Sequence, residues 1–235
     1  MAPKVLIVLT SHSKLGDTDQ PTGWFLPELS HPYSVFEAAG YSISVASPHG
    51  GVAPLDPSSV DFSKDDASAL EFHRTKASVW ENTQELSTFA DGRGAHEFDA
   101  IFYCGGHGPV FDLASDPTSQ AIAAEFFEAG KVVSAVCHGP AALVDVRIPG
   151  GKFLLEGKQV TSFSNEEEEM VGKTKVVPFL LEDKIKELGG RYVKADKAWE
   201  PKVVVDGRVV TGQNPASAKG VGEAVVKLVA EKHGK

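Results

Sequence analysis

The sequence predicts an α/β fold: one domain over 1–235, a mostly parallel central sheet with helices on both faces, a flavodoxin-like sandwich carrying a small inserted helical segment. Three observations predict it. Short, wholly apolar runs such as 5–9 and 132–136 suit strands buried on both faces. They alternate with stretches of helical periodicity, the order that yields parallel strands. The chain has 235 residues, 42% hydrophobic and 23% charged, enough for one substantial core, and no repeat, low-complexity tract or linker divides it.

Residues 5–9 form the first strand. A loop rich in Ser, Asp, Thr, Gly and Pro covers 10–23, and a helix follows over 25–39 with Gly40 as its stop. Residues 41–46 alternate apolar and small polar side chains, a second strand ended by the turn cluster Ser47-Pro48-His49-Gly50-Gly51. From 52 to 97 Asp, Ser, Thr and Lys dominate, with apolar residues at helical spacing between 67 and 89. We read this as an inserted, lid-like helical segment, since long unstructured loops are uncommon. The third strand, 98–104, runs into Gly105-Gly106-His107-Gly108. An amphipathic helix at 116–130, a strand at 131–136 and a helix from His138 onward come next. Downstream lie a short strand at 159–163, the acidic run 166–169, a helix at 178–188 and a strand at 192–193. A hairpin over 203–211 turns at Asp206-Gly207, and a helix over 215–232, N-capped by Asn214, closes the chain.

Asp and Glu total 32 against 23 for Lys and Arg, a net charge of −9. With no basic run, this argues against a nucleic-acid or anionic-membrane partner. No apolar stretch reaches the length of a membrane-spanning helix, and the N-terminal run is too short for a signal-peptide core. Cys104 and Cys137 each end an apolar run, which fits a reduced, cytoplasmic protein better than a disulfide scaffold.

Ligands of open α/β sheets sit beyond the carboxyl ends of the strands, which singles out 10–23, 48–51, 104–109 and 137–140. The last is the most informative. Cys137 stands at the tip of a buried strand and at the start of a helix, the setting of a nucleophile elbow, and the helix N-terminus favours thiolate over thiol. A cysteine is more often a small core hydrophobe, but that reading suits Cys104 better than Cys137. His138 is either a general acid–base or an ordinary helix-start histidine. Gly105, Gly106 and His107 are either an oxyanion cradle or a plain turn. Glu28, flanked by Trp24, Phe25, Leu26 and Pro27, is either a desolvated proton shuttle or a solvated helix residue. The run Glu166–Glu169 suits a solvated helix start, with one member free to turn inward toward His138. The histidines show no metal-ligand spacing, and no phosphate or dinucleotide fingerprint is present, so no metal or cofactor is expected.

The string Ala135-Val136-Cys137-His138-Gly139-Pro140 resembles the nucleophile elbow of the ThiJ/PfpI superfamily, within the class I glutamine amidotransferase-like fold. Residues 4–10, Glu28 with His31-Pro32, Gly105-Gly106-His107-Gly108 with Phe111-Asp112, Leu155-Glu156-Gly157-Lys158 and the segment 210–217 extend the resemblance over nearly the whole chain in the right order. The pattern is most similar to the branch of heat-shock-type, glutathione-independent glyoxalases. The resemblance implies Cys137 as nucleophile, His138 as its partner, Glu28 as the acid beside the sulfur, Glu168 as the carboxylate orienting the histidine, and an oxyanion hole from Gly106 and the backbone of His138. The glutamate run is more acidic than the branch's usual segment, which leaves the register of Glu168 open by one or two residues. The implied reaction takes a small-molecule 2-oxoaldehyde, methylglyoxal, with water to lactate through a cysteine hemithioacetal, with neither glutathione nor metal, in a homodimer. The alternatives are a protein deglycase or cysteine peptidase on the same elbow, a stress chaperone, and a redox sensor in which Cys137 is oxidised.

Overall fold

β1 (Lys4–Val8) lies in the middle of the sheet, and its sequence explains why: all four residues after Lys4 are fully buried. In the computed structural model, which describes residues 2–233, β1 pairs in parallel with β2 (Ser42–Ser47) on one side and β4 (Ala100–Tyr103) on the other. β3 (Gln84–Glu85) extends the β2 edge. On the other side β4 is followed by β5 (Val132–Val136), β9 (Val209–Gly212) and β8 (Val203–Asp206). Every pairing is parallel except β8 with β9, whose two-residue turn places Gly207 at φ +61°. Among the described residues the sheet has seven strands, in the order β3-β2-β1-β4-β5-β9-β8.

Alternation along the central strands divides the core into two layers. Leu6, Val8, Ile101, Tyr103, Val133 and Ala135 face one side, with Ile122 and Phe126 of α6 (Pro117–Glu128). Val5, Ile7, Phe102 and Val132 face the other, against Leu29 and Phe36 of α1 (Leu26–Ala38) and Val225 and Val229 of α9 (Ala218–His233). The chain leaves β1 toward β2 and β3, then returns to β4 and proceeds the other way. The strand order therefore reverses between β1 and β4, and a crevice opens beyond their carboxyl ends.

The segment 52–97 has two parts. α2 (Pro57–Phe62), α3 (Ala67–Thr75) and α4 (Ser78–Glu81) are short helices, the first two capped by the Asp56 and Asp66 carboxylates. The chain then enters the sheet as β3 and the core through Leu86 and Phe89 before α5 (Arg93–Glu97). Only the front part borders the crevice.

Three expectations are corrected. No α-helix follows Cys137: Gly139–Leu143 is a 3-10 turn, entered at Gly139, which is pressed so tightly on Tyr103 that a Cβ there would lie 2.4 Å from its carbonyl oxygen. The strand expected at 159–163 is only β6 (Gln159–Val160), which pairs with β7 (Arg191–Tyr192) in a separate two-stranded ribbon. Asn214 does not cap the closing helix through its side chain, because its Oδ1 accepts from the Ser217 hydroxyl rather than from a backbone N–H, while its amide donates to Glu167 Oε1 and to the Glu200 carbonyl. The acidic run forms α7 (Asn165–Met170), and α8 (Leu181–Glu187) follows it. No helix among the described residues is long and apolar enough to cross a membrane.

Candidate active site

Cys137 is the residue on which the crevice converges. Its backbone has φ +59°, a left-handed conformation that a non-glycine residue adopts only when its surroundings hold it there. The hold is visible: the Cys137 N–H donates to the Gly212 carbonyl at 2.9 Å, and its own carbonyl accepts from the Phe163 N–H at 2.9 Å. The strand end is thus pinned between β9 and the segment leading to α7, and the side chain is turned into the crevice with 4% exposure. Gly105 makes the turn possible, since a Cβ there would fall 2.2 Å from Glu28 Oε2, 2.5 Å from the Val136 carbonyl oxygen and 2.8 Å from Cys137 Cβ.

Glu28 enters from the first turn of α1, whose start is tied to the β4 turn by the Phe25 N–H bond to the Gly105 carbonyl. The residue is fully buried, and neither carboxyl oxygen has an aligned hydrogen-bond partner. Burial pushes its carboxyl well above the ordinary range, although the Cys137 side chain and the N–H groups of Gly106 and Gly105 act in the opposite sense. Burial therefore favours the neutral acid at Glu28 in the free site. Burial, and then the proximity of Glu28, likewise push the Cys137 thiol up. The thiolate expected from a helix N-terminus is not favoured here, because the 3-10 turn offers little dipole and the side chain is buried.

A chain of polar contacts leads away from the sulfur. The Cys137 Sγ and His138 Nδ1 are 3.4 Å apart, and His138 Nε2 is 2.6 Å from Glu168 Oε2. Glu168 is 3% exposed. Burial works to raise its pKa, but the charge of His138 and hydrogen bonds from His107 and His138 hold it well below the usual carboxylate range. An ionised carboxylate only accepts, so His138 presents Nε2–H to Glu168 and keeps Nδ1 as an acceptor for the thiol proton.

The four consecutive glutamates have separate fates. Glu166 and Glu169 are exposed. Glu167 closes a capping box with Ser164 and also accepts from Trp199 N–H, Gln213 Nε2 and Asn214 Nδ2. Glu168 alone meets His138. It also meets a residue that sequence reasoning assigned only through its backbone: His107 Nε2 donates to Glu168 Oε1 at 2.8 Å. One carboxylate thus serves two imidazoles, whose ring centroids are 4.2 Å apart. Burial, then repulsion from His138, push His107 down to about 4, so it is neutral at pH 7. Its Nδ1 accepts from the Lys173 ammonium at 3.4 Å.

A cavity of about 460 Å³ opens above Cys137. Glu28, Gly106, His107 and Cys137 form its reactive floor, and Phe25, Phe62, Phe163 and Trp199 supply aromatic wall. Sequence reasoning misses Lys173 and the aromatic wall. Trp199, a lone large aromatic in the polar stretch Lys-Ala-Asp-Lys-Ala-Trp-Glu-Pro, is the one local signal for it. Cys104 is fully buried, and burial raises its thiol pKa. The ligand atoms of His107, His138 and Glu168 lie within 4.8 Å of one another, a donor set suited to zinc. Each imidazole, however, already uses a different oxygen of the bridging carboxylate, so an ion there would compete with the bond that orients His138.

The model of the DJ-1/PfpI family matches residues 25–228. A glutathione-independent glyoxalase of Schizosaccharomyces pombe is 35% identical over 219 residues, covering 88% of this chain and 89% of that protein. The crystal structure of glyoxalase III from Candida albicans superposes with a TM-score of 0.87 at 32% identity, covering 96% of this chain and 97% of that one. The Rapid Encystment Protein of 24 kDa from Francisella tularensis gives a TM-score of 0.89 at 34% identity, covering 97% and 99%.

Proposed function

This chain belongs to the DJ-1/PfpI family, and from that premise we propose that it is a glutathione-independent glyoxalase, converting methylglyoxal and water to lactate through a hemithioacetal on Cys137. The observation that carries the reading is the continuous line from the Cys137 sulfur through His138 to Glu168, with the fully buried carboxyl of Glu28 beside the same sulfur. Two glyoxalases resembling the chain over nearly its full length support it.

The steps balance on these residues. Cys137 passes its proton to His138 Nδ1 as Sγ adds to the aldehyde carbon, and Glu28 gives its proton to the alkoxide that forms. Glu168 holds the resulting imidazolium. The N–H groups of Gly106 and His138 form the oxyanion hole that steadies the developing charge. Glu28, now a carboxylate, removes the hydrogen from the former aldehyde carbon, and His138 returns its proton to the ketone oxygen, giving an enediol. Glu28 delivers its proton to the second carbon and takes one back from the first hydroxyl, leaving a thioester of lactate. Water, deprotonated by His138, adds to that thioester. Expulsion of the thiolate, which recovers its proton from His138, frees lactate. The acid–base pair is provided by one carboxyl kept neutral and another kept ionised, the division of labour that opposed environments produce.

The protein is further read as a homodimer of a reducing, cytoplasmic compartment. Both cysteines are free and buried, which supports the compartment. Sedimentation of the purified chain tests the dimer. The activity is tested by methylglyoxal consumption and lactate formation without glutathione, in the wild type and in Cys137→Ala. Loss of substrate in the wild type alone upholds the reading, and equal rates in both overturn it.

A further inference from the structure

Lys173 has no part in the mechanism above, yet it stands on the wall of the same cavity, half-buried. Its ammonium lies 3.4 Å from His107 Nδ1 and enters no ion pair among the described residues. The Nδ1 of a neutral imidazole takes one ammonium proton, which leaves two donors of Lys173 for something else. No other Lys or Arg among the described residues lines the cavity.

The charges around it do not cancel it. Burial favours the uncharged forms of Glu28 and Cys137, and the Glu168 carboxylate keeps its charge but lies on the other side of the His107 ring, each oxygen accepting from an imidazole N–H. Asp61 also lines the cavity but is exposed, where water and salt screen it. A cation with no direct ion-pair partner among the described residues thus stands on the wall of a largely apolar chamber.

The chamber also has more room than a three-carbon dicarbonyl fills. At about 460 Å³ it falls within the roughly 300–1,000 Å³ of pockets that enclose drug-sized ligands. Its walls are ordered aromatic pairs: Phe163 and Trp199 meet edge to face with centroids 5.6 Å apart, and Phe25 and Phe62 do so at 5.3 Å. Such walls suit a flat apolar body lying between the reacting carbonyl at Cys137 and a terminal group at Lys173.

We propose that Lys173 is a specificity-determining residue, giving the site a preference for 2-oxoaldehydes whose apolar or aromatic body carries a carboxylate over neutral ones of the same shape. The proposal rests on the glyoxalase reading for its reactive group, and on the cavity alone for its anion preference.

The test compares phenylglyoxal with 4-carboxyphenylglyoxal, which differ by the anionic group, on the full chain and on Lys173→Met, Lys173→Gln and Lys173→Arg. Each variant's rate on the neutral aldehyde is its own reference. The expected result is a kcat/KM ratio of about tenfold in favour of the carboxylate in the wild type, equivalent to ~1.4 kcal/mol. It should survive in Lys173→Arg and vanish in the Met and Gln variants. A wild-type ratio of one or less, or a ratio the Met variant keeps, overturns the proposal. A second arm titrates both aldehydes into Cys137→Ala, with and without Lys173→Met, by calorimetry. If the wild type leaves methylglyoxal and both aryl aldehydes untouched, the glyoxalase reading fails, and this binding arm still decides on Lys173. A tenfold weaker carboxylate affinity with Met upholds it, and equal affinities overturn it.

Discussion

Replacing Glu168 by Gln tests the site at its most constrained atom pair. The side chain keeps its size and loses its charge. In the wild type its two oxygens accept separately, from His138 Nε2 at 2.6 Å and from His107 Nε2 at 2.8 Å. An amide offers one oxygen and one NH2, so one imidazole must turn its lone pair toward the amide. If that is His138, the proton moves to Nδ1 and points at the sulfur, and the base is lost. If it is His107, its contact with Lys173 becomes ammonium against N–H. In either case the imidazolium that forms when Cys137 gives up its proton has no carboxylate to hold it. A charge-assisted hydrogen bond contributes about 1.5–3 kcal/mol, and wrong-tautomer substitutions in related triads lower turnover by about 10⁴. We expect kcat for methylglyoxal to fall by about 10²–10⁴, or ~2.7–5.5 kcal/mol in activation free energy. Two assays separate the causes: steady-state consumption of methylglyoxal, and the rate of Cys137 alkylation by iodoacetamide across pH. Both should fall while the circular dichroism spectrum is retained. A Glu168→Gln enzyme within threefold of wild type in both would refute the relay and reduce Glu168 to a packing residue.

Three further substitutions test the same geometry. Glu28→Gln mimics the neutral acid but cannot exchange a proton, so turnover should drop at least about 10³-fold while Cys137 alkylation persists. Retained turnover would exclude Glu28 from proton transfer. Because folding raises the Glu28 pKa, its favourable contribution is complete below the unfolded carboxylate pKa and is lost as pH rises through the folded one, so Gln should flatten that part of the urea-stability profile. His107, lowered to about 4 from 6.5, has the opposite sign: the unfolded chain binds the extra proton, so stability falls as pH drops from 6.5 toward 4, by at most ~3 kcal/mol, and His107→Gln should remove that slope. Glu167→Ala takes the acceptor from donors of Ser164, Gln213 and Trp199 and one of the two bonds of the Asn214 amide, and we expect a loss of about 3–5 kcal/mol and a Tm lower by roughly 10 °C in calorimetry.

The elements legible in the sequence are those that burial on both faces forces into apolar runs. β1 and β5 are readable because no polar residue other than Ser134 interrupts their buried stretches, and Ser134 donates to the Ile101 carbonyl across the sheet. β3 is not: its two residues, Gln84 and Glu85, are polar, exposed and at an edge. The turn after Cys137 reads as a helix because Pro140 is as good a helix start as a turn, and only the Tyr103 carbonyl beneath Gly139 decides between them. Asn214 looks like a cap for the same reason: nothing local reports that Glu167, 47 residues away, takes its amide.

The active-site residues divide along the same line. A cysteine at a strand tip, with small residues in the turns around it, is a local pattern, and Cys137, Gly105 and Gly106 are legible from it alone. Glu167 and Glu168 are neighbours on one helix, both buried and chemically identical, and no periodicity distinguishes them. What separates their roles is what each meets: Glu167 is surrounded by neutral amide and hydroxyl donors, and Glu168 by two imidazoles. That placement also explains how a buried site holds a nucleophile without a charged sulfur at rest. The carboxylate of Glu168, held below the usual range, lies beyond His138, burial favours the neutral form of the carboxyl beside the sulfur, and His107 takes the other oxygen of Glu168. In the proposed reaction negative charge would reach Cys137 only as an aldehyde carbon receives it, and the burial that raises the thiol pKa favours the protonated sulfur before that.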